Sequence, residues 1–322
     1  MMPFPLLLLV SFITSTVQAS EVKPGFFLPP QTFYVHAQQP RDPSKRPSSY
    51  PYIAGDSFRA LCKFIIDETN IPFEPAAVQD GDLIFVKPEP PIIEYFFAVL
   101  HPKIHAHYIL ITHNSDEPVP GNYARYLDDA KVLGWFGQNT DREHPKLFTV
   151  PIGIANQHWP HGNVQVLTDA LANKPPVKNN LLYMNFDINT NPRARKPVYD
   201  FFVTKSFCFN APRKPWPAYL QEMAHFKFVL SPVGNGLDCH KTWEAFYLGC
   251  IPVVQKTSLD PMYEGLPILI VDQWHQVTEE LLKAQYAAFH GSAYSVEKCY
   301  MQYWIDLIRD YQEKCIKILR NK

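Results

Sequence analysis

A chain of 322 residues has room for two modest lobes and a sizeable core, and 46% hydrophobic with 14% aromatic residues disfavours a disordered chain. A formal net charge of -1 gives no global field for capturing nucleic acid, so no nucleic-acid partner is expected and any anion site must be local. The 31 prolines crowd the first half and the loops and predict long, stiff connections.

The first predicted element is a leader. Residues 6–17 are mostly apolar over about a dozen positions, too short for an ordinary membrane span, and Val17-Gln18-Ala19 offers a small-residue cleavage site. Residues 1–20 are therefore read as a signal peptide or short anchor, which points to the secretory pathway, an ER or Golgi lumen. Lysine and arginine are missing ahead of the apolar run, so membrane association through this segment, a secreted or cytoplasm-facing anchored form and a buried N-terminal element stay open. The six cysteines show no C-x-x-C zinc spacing and read mostly as packed thiols, with at most one or two disulfides.

Residues 21–170 are expected to form a first α/β lobe. After a Pro- and Ser-rich stretch at 39–51, a helix is predicted over 56–69, where Phe58, Leu61, Cys62, Ile65 and Ile66 share one side. Strands are predicted at 82–86, 107–112, 133–136 and 147–150, with an aromatic-rich helix at 91–99. This alternation indicates a doubly wound sheet, whose ligands bind at the carboxyl ends of the strands. The loop after the 107–112 strand lies at such an end and supplies His113, Asp116 and Glu117 as candidate bases for an acceptor hydroxyl, with His158 behind them. Loops at 135–139 and 151–162 are expected to face a cleft. Asn139, Asn156, His158 and Trp159 are candidate acceptor contacts, because an aromatic ring stacks on the apolar face of a sugar while amides and imidazoles bond its hydroxyls. A polar surface loop with a half-buried Trp159 is the alternative. His105, His107 and His113 would also suit a metal-dependent hydrolase, although packing or surface exposure is commoner for histidines flanking a strand.

A hinge is predicted near 168–180, and residues 171–292 are expected to form the second lobe. It opens on a strand at 181–186. Arg193 and Arg195 follow at a strand–helix junction; two residues apart on a helix, only one of them can point into a cleft, where arginine suits bidentate phosphate contacts. A basic solvent face is the equal alternative. Residues 227–254, KFVLSPVGNGLDCHKTWEAFYLGCIPVV, read as strand, glycine loop, helix, glycine stop and buried strand. Asp238 is placed as the N-cap of a helix over 239–248, and Gly249 as the left-handed residue that ends it. Gly234, Asn235 and Gly236 give a loop that can approach a ligand closely, and a helix start behind such a loop collects anions. His240 and Glu244 share a face, while Lys241 and Thr242 lie in the first turn. A lysine there opposes the helix dipole unless an anion sits beside it; a solvated lysine paired with Glu244 explains it equally well. The spacing fits neither the P-loop nor the dinucleotide fingerprint. A strand at 268–271 and helices at 278–290 and 296–319 complete the chain, the last with an apolar stripe of Tyr300, Trp304, Leu307, Ile308, Tyr311 and Cys315.

Lys227-Phe228, Leu230, Pro232, Gly234, Lys241, Glu244 and Gly249-Cys250-Ile251-Pro252-Val253-Val254 together resemble the nucleotide-sugar-binding half of the exostosin-like glycosyltransferases. The layout is also similar, more loosely, to the donor motif of α1,3-fucosyltransferases. The match covers about thirty residues, and Lys241 stands where the exostosin pattern often has arginine. The resemblance implies an α/β fold of two Rossmann-like lobes of the GT-B type, a cleft between them, and a long C-terminal helix (293–322) packing back across both. It implies a nucleotide-diphosphate sugar as co-substrate and a glycan or other hydroxyl acceptor. The diphosphate would meet the loop and Lys241, and Glu244 would meet the ribose or sugar; Ser231, Asp238, His240 and Thr242 complete the expected donor set. No aspartate-x-aspartate sequence reads convincingly as a metal motif, Asp128-Asp129 being adjacent rather than spaced, so no metal is expected and an inverting, metal-independent transfer is the implied chemistry. A bilobed module that binds the same ligand without turnover is the competing class.

Overall fold

The computed structural model describes residues 46–175, 177–290 and 292–321; the predicted leader lies outside them. The first part of the chain runs α1 (Gly55–Arg59), β1 (Phe64–Ile66), β2 (Asp82–Val86), α2 (Pro90–Tyr95), β3 (Tyr108–Thr112), β4 (Val132–Gly137) and β5 (Leu147–Thr149). All five strands are parallel and lie in chain order. β3 is buried along its whole length, as its unbroken apolar run requires of a strand covered on both faces. Helix α3 (Val164–Ala172) leads to the second sheet.

That sheet is built from β6 (Asn180–Met184), α4 (Pro192–Phe202), β7 (Cys208–Asn210), α5 (Trp216–Met223), β8 (Phe226–Leu230), α6 (His240–Tyr247), β9 (Ile251–Gln255) and β10 (Leu269–Val271). Its order is β10-β9-β8-β6-β7, again all parallel. α7 (Glu279–His290) and α8 (Met301–Arg320) end the chain. The protein therefore has the expected α/β architecture of two all-parallel, Rossmann-like sheets and a returning C-terminal helix. One apolar cluster joins the lobes, running from Phe58 and Ile111 through Ile152 to Trp243, Tyr247 and Trp304. Gly249 stops α6 with φ of 70°, as its place after the helix predicts. Lys178 Nζ donates to the Ala224 and Leu248 carbonyls (2.6 and 2.9 Å), putting one cation on the C-terminal ends of both α5 and α6.

Several elements differ from the sequence expectations. The helix predicted over 56–69 is only α1 followed by strand β1. Arg59 Nε donates to Asp67 (2.6 Å), and Phe64-Ile65-Ile66 pairs in register with Ile84-Phe85-Val86, so sheet pairing overrides the helical spacing. The predicted hinge begins inside α3, which Asn163 caps by accepting from Gln165 and Val166 N–H. β7 and α5 were missed; α5 starts at Trp216-Pro217, where a proline is tolerated in the first turn but looks like loop in sequence. The helix predicted over 296–319 is interrupted at its start: a short 3₁₀ turn ends at Cys299, Tyr300 bridges to Tyr52, and α8 follows. Its return to the first lobe is direct. Tyr311 Oη donates to the Leu133 carbonyl (2.8 Å) and packs on Phe136 and Phe148, and Gln312 Nε2 donates to the Gly81 carbonyl (2.7 Å). Among the described residues no helix is long and apolar enough to cross a membrane.

Candidate functional site

β6 and β8 are neighbours in the second sheet although β7 lies between them in sequence, so chain direction across the sheet reverses there. Such a switch point leaves a crevice at the carboxyl ends of the two strands. A cleft of about 790 Å³ opens at that place, lined by residues that follow β6 and β8, by the start of α6, by α5 and by loops of the first lobe.

The β8–α6 loop is held from three sides. Arg195, on α4, donates from Nε to the Val233 carbonyl (3.0 Å) and from Nη1 to the Asp187 carbonyl (2.9 Å), with its guanidinium over the Phe186 ring. Asn191 Nδ2 donates to the Gly234 carbonyl (2.7 Å). Ser231 Oγ and Thr242 Oγ1 bond each other (2.9 Å) below the cleft floor, pinning α6 to the end of β8. Arg195 lines the cleft; Arg193 points to solvent on the other side of α4.

The first lobe supplies the third side. Asn139, in a left-handed conformation (φ 55°), accepts the Asp238 N–H (3.0 Å), and Gly236 packs against its amide. Asn235 Nδ2 donates to Asp116 Oδ2 (3.3 Å), and His240 Nδ1 donates to the Gly153 carbonyl (2.8 Å). Asp238 is not the N-cap of α6; Cys239 takes that position, with no side-chain cap. The Asp238 carboxylate instead accepts from Ile152 N–H, Trp243 Nε1, Tyr263 Oη and Cys239 N–H, all at 2.8–2.9 Å, and burial nevertheless pushes its carboxyl up. It is the buried knot between the lobes.

The uncapped start of α6 opens into the cleft beside Lys241, whose Nζ donates to Tyr219 Oη (3.0 Å) and lies 4.6 Å from the centre of that ring. Burial lowers the lysine to about 8 against the opposing pull of Glu244. Tyr219 Oη in turn donates to Glu244 Oε2 (3.0 Å), and Trp216 Nε1 donates to Oε1 (2.8 Å). Burial, then the Glu244 charge, drives the Tyr219 hydroxyl well above its ordinary value, so it stays protonated as the link between lysine and glutamate. Lys241 and Glu244 are thus joined through Tyr219 rather than directly. Trp216 and Tyr219 went unrecognised in sequence because their helix did.

The predicted bases separate. Asp116 lines the cleft. His113 is 1% exposed and stacks on Phe58; Nε2 donates to the Pro151 carbonyl (3.0 Å) and Nδ1 accepts the Asn114 N–H (2.7 Å). Burial lowers it to about 4, so it is a neutral packing histidine with no free nitrogen, not a cleft base. Glu117 is exposed outside the cleft lining. The histidine trio proposed for a metal does not converge either: His107 bonds Asp80 (2.9 Å) just before β3, and His113 lies at the strand's other end. Among the described residues no group of three or more His, Cys, Asp or Glu is placed to hold a metal ion.

Of the predicted acceptor contacts, Asn139 and Asn156 are buried and already bonded. Asn156 accepts the Asp56 N–H (2.7 Å) and donates to Asn114 Oδ1 (2.8 Å). His158 faces the buried Asp56 carboxylate, with Nδ1 at 3.5 Å from Oδ2. Trp159 is 54% exposed and stacks on His161, which does line the cleft.

No family model matches the chain, and no curated protein matches it. Solved structures with a similar course include the pneumococcal O-GlcNAc transferase GtfA in complex with UDP and GlcNAc (11% identity, TM-score 0.37, covering 75% of this chain and 58% of that one). The UDP-GlcNAc 2-epimerase from Methanocaldococcus jannaschii (11%, 0.35, 74% and 77%) and the GtfA/B complex (12%, 0.32, 75% and 57%) are others. This chain spans a little over half the length of GtfA.

Proposed function

We propose that this protein is a glycosyltransferase that moves a sugar from a nucleoside-diphosphate sugar to a hydroxyl of a glycan or glycoconjugate. The observation that carries the reading is a cleft at the switch point of the second sheet into which an uncapped helix start, Lys241 and Arg195 all project. Breaking a sugar–diphosphate bond builds negative charge on the leaving oxygen. Fixed N–H groups and a desolvated cation oppose that charge without reorganising, which is how such sites supply much of their rate. Lys241 would take the diphosphate, with Tyr219 and Glu244 holding its ammonium in place. Arg195 would act chiefly by fixing the loop, since two of its donor groups are already committed to carbonyls. Trp159, exposed on the first lobe, suits the apolar face of an acceptor sugar. The resemblance of residues 227–254 to exostosin-like enzymes favours the same substrates, and the expected secretory location would place the donor in a lumen.

A thermal-shift screen against UDP, GDP and CMP, each alone and as its sugar conjugate, tests the proposal. A shift with one nucleotide family, larger for the sugar conjugate, is expected. No shift with any of them would overturn it. A shift without donor hydrolysis or transfer would favour the binding module.

A further inference from the structure

We infer that His161 is the general base that takes the proton of the acceptor hydroxyl, an assignment that rests on the glycosyltransferase reading of the same cleft. His161 belongs to the first lobe yet lines the cleft opposite α6, with its ring 6.3 Å from that of His240. Its position is built rather than loose. Trp159 N–H donates to the Asn156 carbonyl (2.9 Å) and Gly162 N–H to the Trp159 carbonyl (3.0 Å), and a Cβ at residue 162 would fall 2.1 Å from the Asn156 carbonyl oxygen, so only glycine closes the turn. The stacked Trp159 ring lies beside it, which puts the acceptor platform and the base on one loop.

The competing groups are turned away from the cleft or tied to the donor side of it. His113 has both nitrogens engaged away from the cleft, and His158 faces Asp56. Asp116 accepts from Asn235 of the donor loop. His240 has Nδ1 on the Gly153 carbonyl and is the first residue of α6, on the donor side of the cleft. Among the described residues neither nitrogen of His161 has a hydrogen-bond partner. Burial, then His240, lowers its proton affinity while Glu244 acts in the opposite sense, so the ring is neutral near pH 7 and able to accept a proton. The other titratable and charged groups lining the cleft are His240, Lys241 and Glu244 on α6, Asp238 and Cys239 just before it, Asp187 and Arg195 after β6, Arg213 and Lys214 before α5, Tyr219 on α5, and Asp116 of the first lobe.

In the step, the acceptor oxygen forms its bond to the anomeric carbon as its proton passes to a ring nitrogen of His161. The bond from that carbon to the diphosphate breaks, and its electron pair leaves on the phosphoryl oxygen. The imidazolium then gives its proton to water.

The test uses the wild type with the nucleotide sugar that gives the largest thermal shift, with water or a glycan panel as acceptor. His161→Asn and His161→Gln should lower kcat by about 100-fold or more, with unchanged affinity for the free nucleotide. The wild type should show an acid limb in kcat/KM below the ordinary histidine value of 6.5, absent from the variants, and added imidazole should restore part of the rate to His161→Gly. Unchanged kcat and an unchanged acid limb in the variants would overturn the assignment. So would a limb that disappears in His240→Asn but persists in His161→Asn, or a wild type that binds a nucleotide sugar and turns none over. A wild type that binds no nucleotide sugar would instead bring down the underlying functional reading.

Discussion

Replacing Lys241 with methionine should make the empty protein more stable and the ligand weaker. Burial lowers this lysine from 10.5 to about 8, a difference that corresponds to roughly 3 kcal/mol of cost for keeping it charged at neutral pH. Water in the cleft makes that figure a ceiling. Methionine keeps most of the side-chain packing but forfeits the bond to Tyr219 Oη, worth roughly 1 kcal/mol. The expected net gain at pH 7 is about 1–2 kcal/mol, read by urea denaturation as a higher midpoint with an unchanged slope. The sign in pH follows from the direction of the shift. Between about 8 and 10.5 the unfolded chain holds a proton on this lysine that the folded protein has released, so wild-type stability rises with pH across that window on this account. The advantage of Lys241→Met should therefore be present below pH 8 and vanish toward pH 10.5. Affinity for UDP, or for whichever nucleotide diphosphate the screen identifies, should fall tenfold to a hundredfold, since a charged hydrogen bond is worth about 1.5–3 kcal/mol. A variant that is less stable at pH 7 and binds the nucleotide as tightly as the wild type would refute the reasoning, leaving Lys241 as a structural partner of Tyr219.

Glu244→Ala leaves the Trp216 indole and the Tyr219 hydroxyl unpaired in a buried corner and should lower stability by about 2–5 kcal/mol, visible as a large drop in Tm; an unchanged Tm would show that water replaces the carboxylate. Trp159→Ala should leave Tm and nucleotide affinity alone, because the side chain is largely exposed, while raising KM for the acceptor; unaltered acceptor kinetics would remove Trp159 from the site. The proposed transfer activity should survive EDTA, and complete loss restored by a divalent cation would refute a metal-independent mechanism.

The second sheet was largely legible in the sequence because its signals are local. An apolar run, a glycine loop, a helix of one period and a glycine stop follow each other within residues 227–254, and each is fixed by neighbours a few positions away. The same stretch placed Lys241 and Glu244 in one cleft wall. The short β1 and α5 escaped because sheet pairing to β2, in the one case, and a proline-tolerant first turn, in the other, decided them.

The roles of polar side chains depended on partners 25 to 100 residues away in sequence. Asp238 looks like a helix cap, yet donors from Ile152 and Tyr263 make it the knot between lobes. His113 looks like a base at a strand end, yet Pro151 and Phe58 close over it. Asn139 and Asn156 look like sugar contacts, yet they are bonded to Asp238 and Asp56. Sequence alone determined that this chain builds strand–loop–helix units with a cation at a helix start, since periodicity and turn chemistry act over a few residues. Only the tertiary structure decided which of its hydrogen-bonding groups remain free for a ligand, because a buried polar group must find a partner wherever the fold brings one.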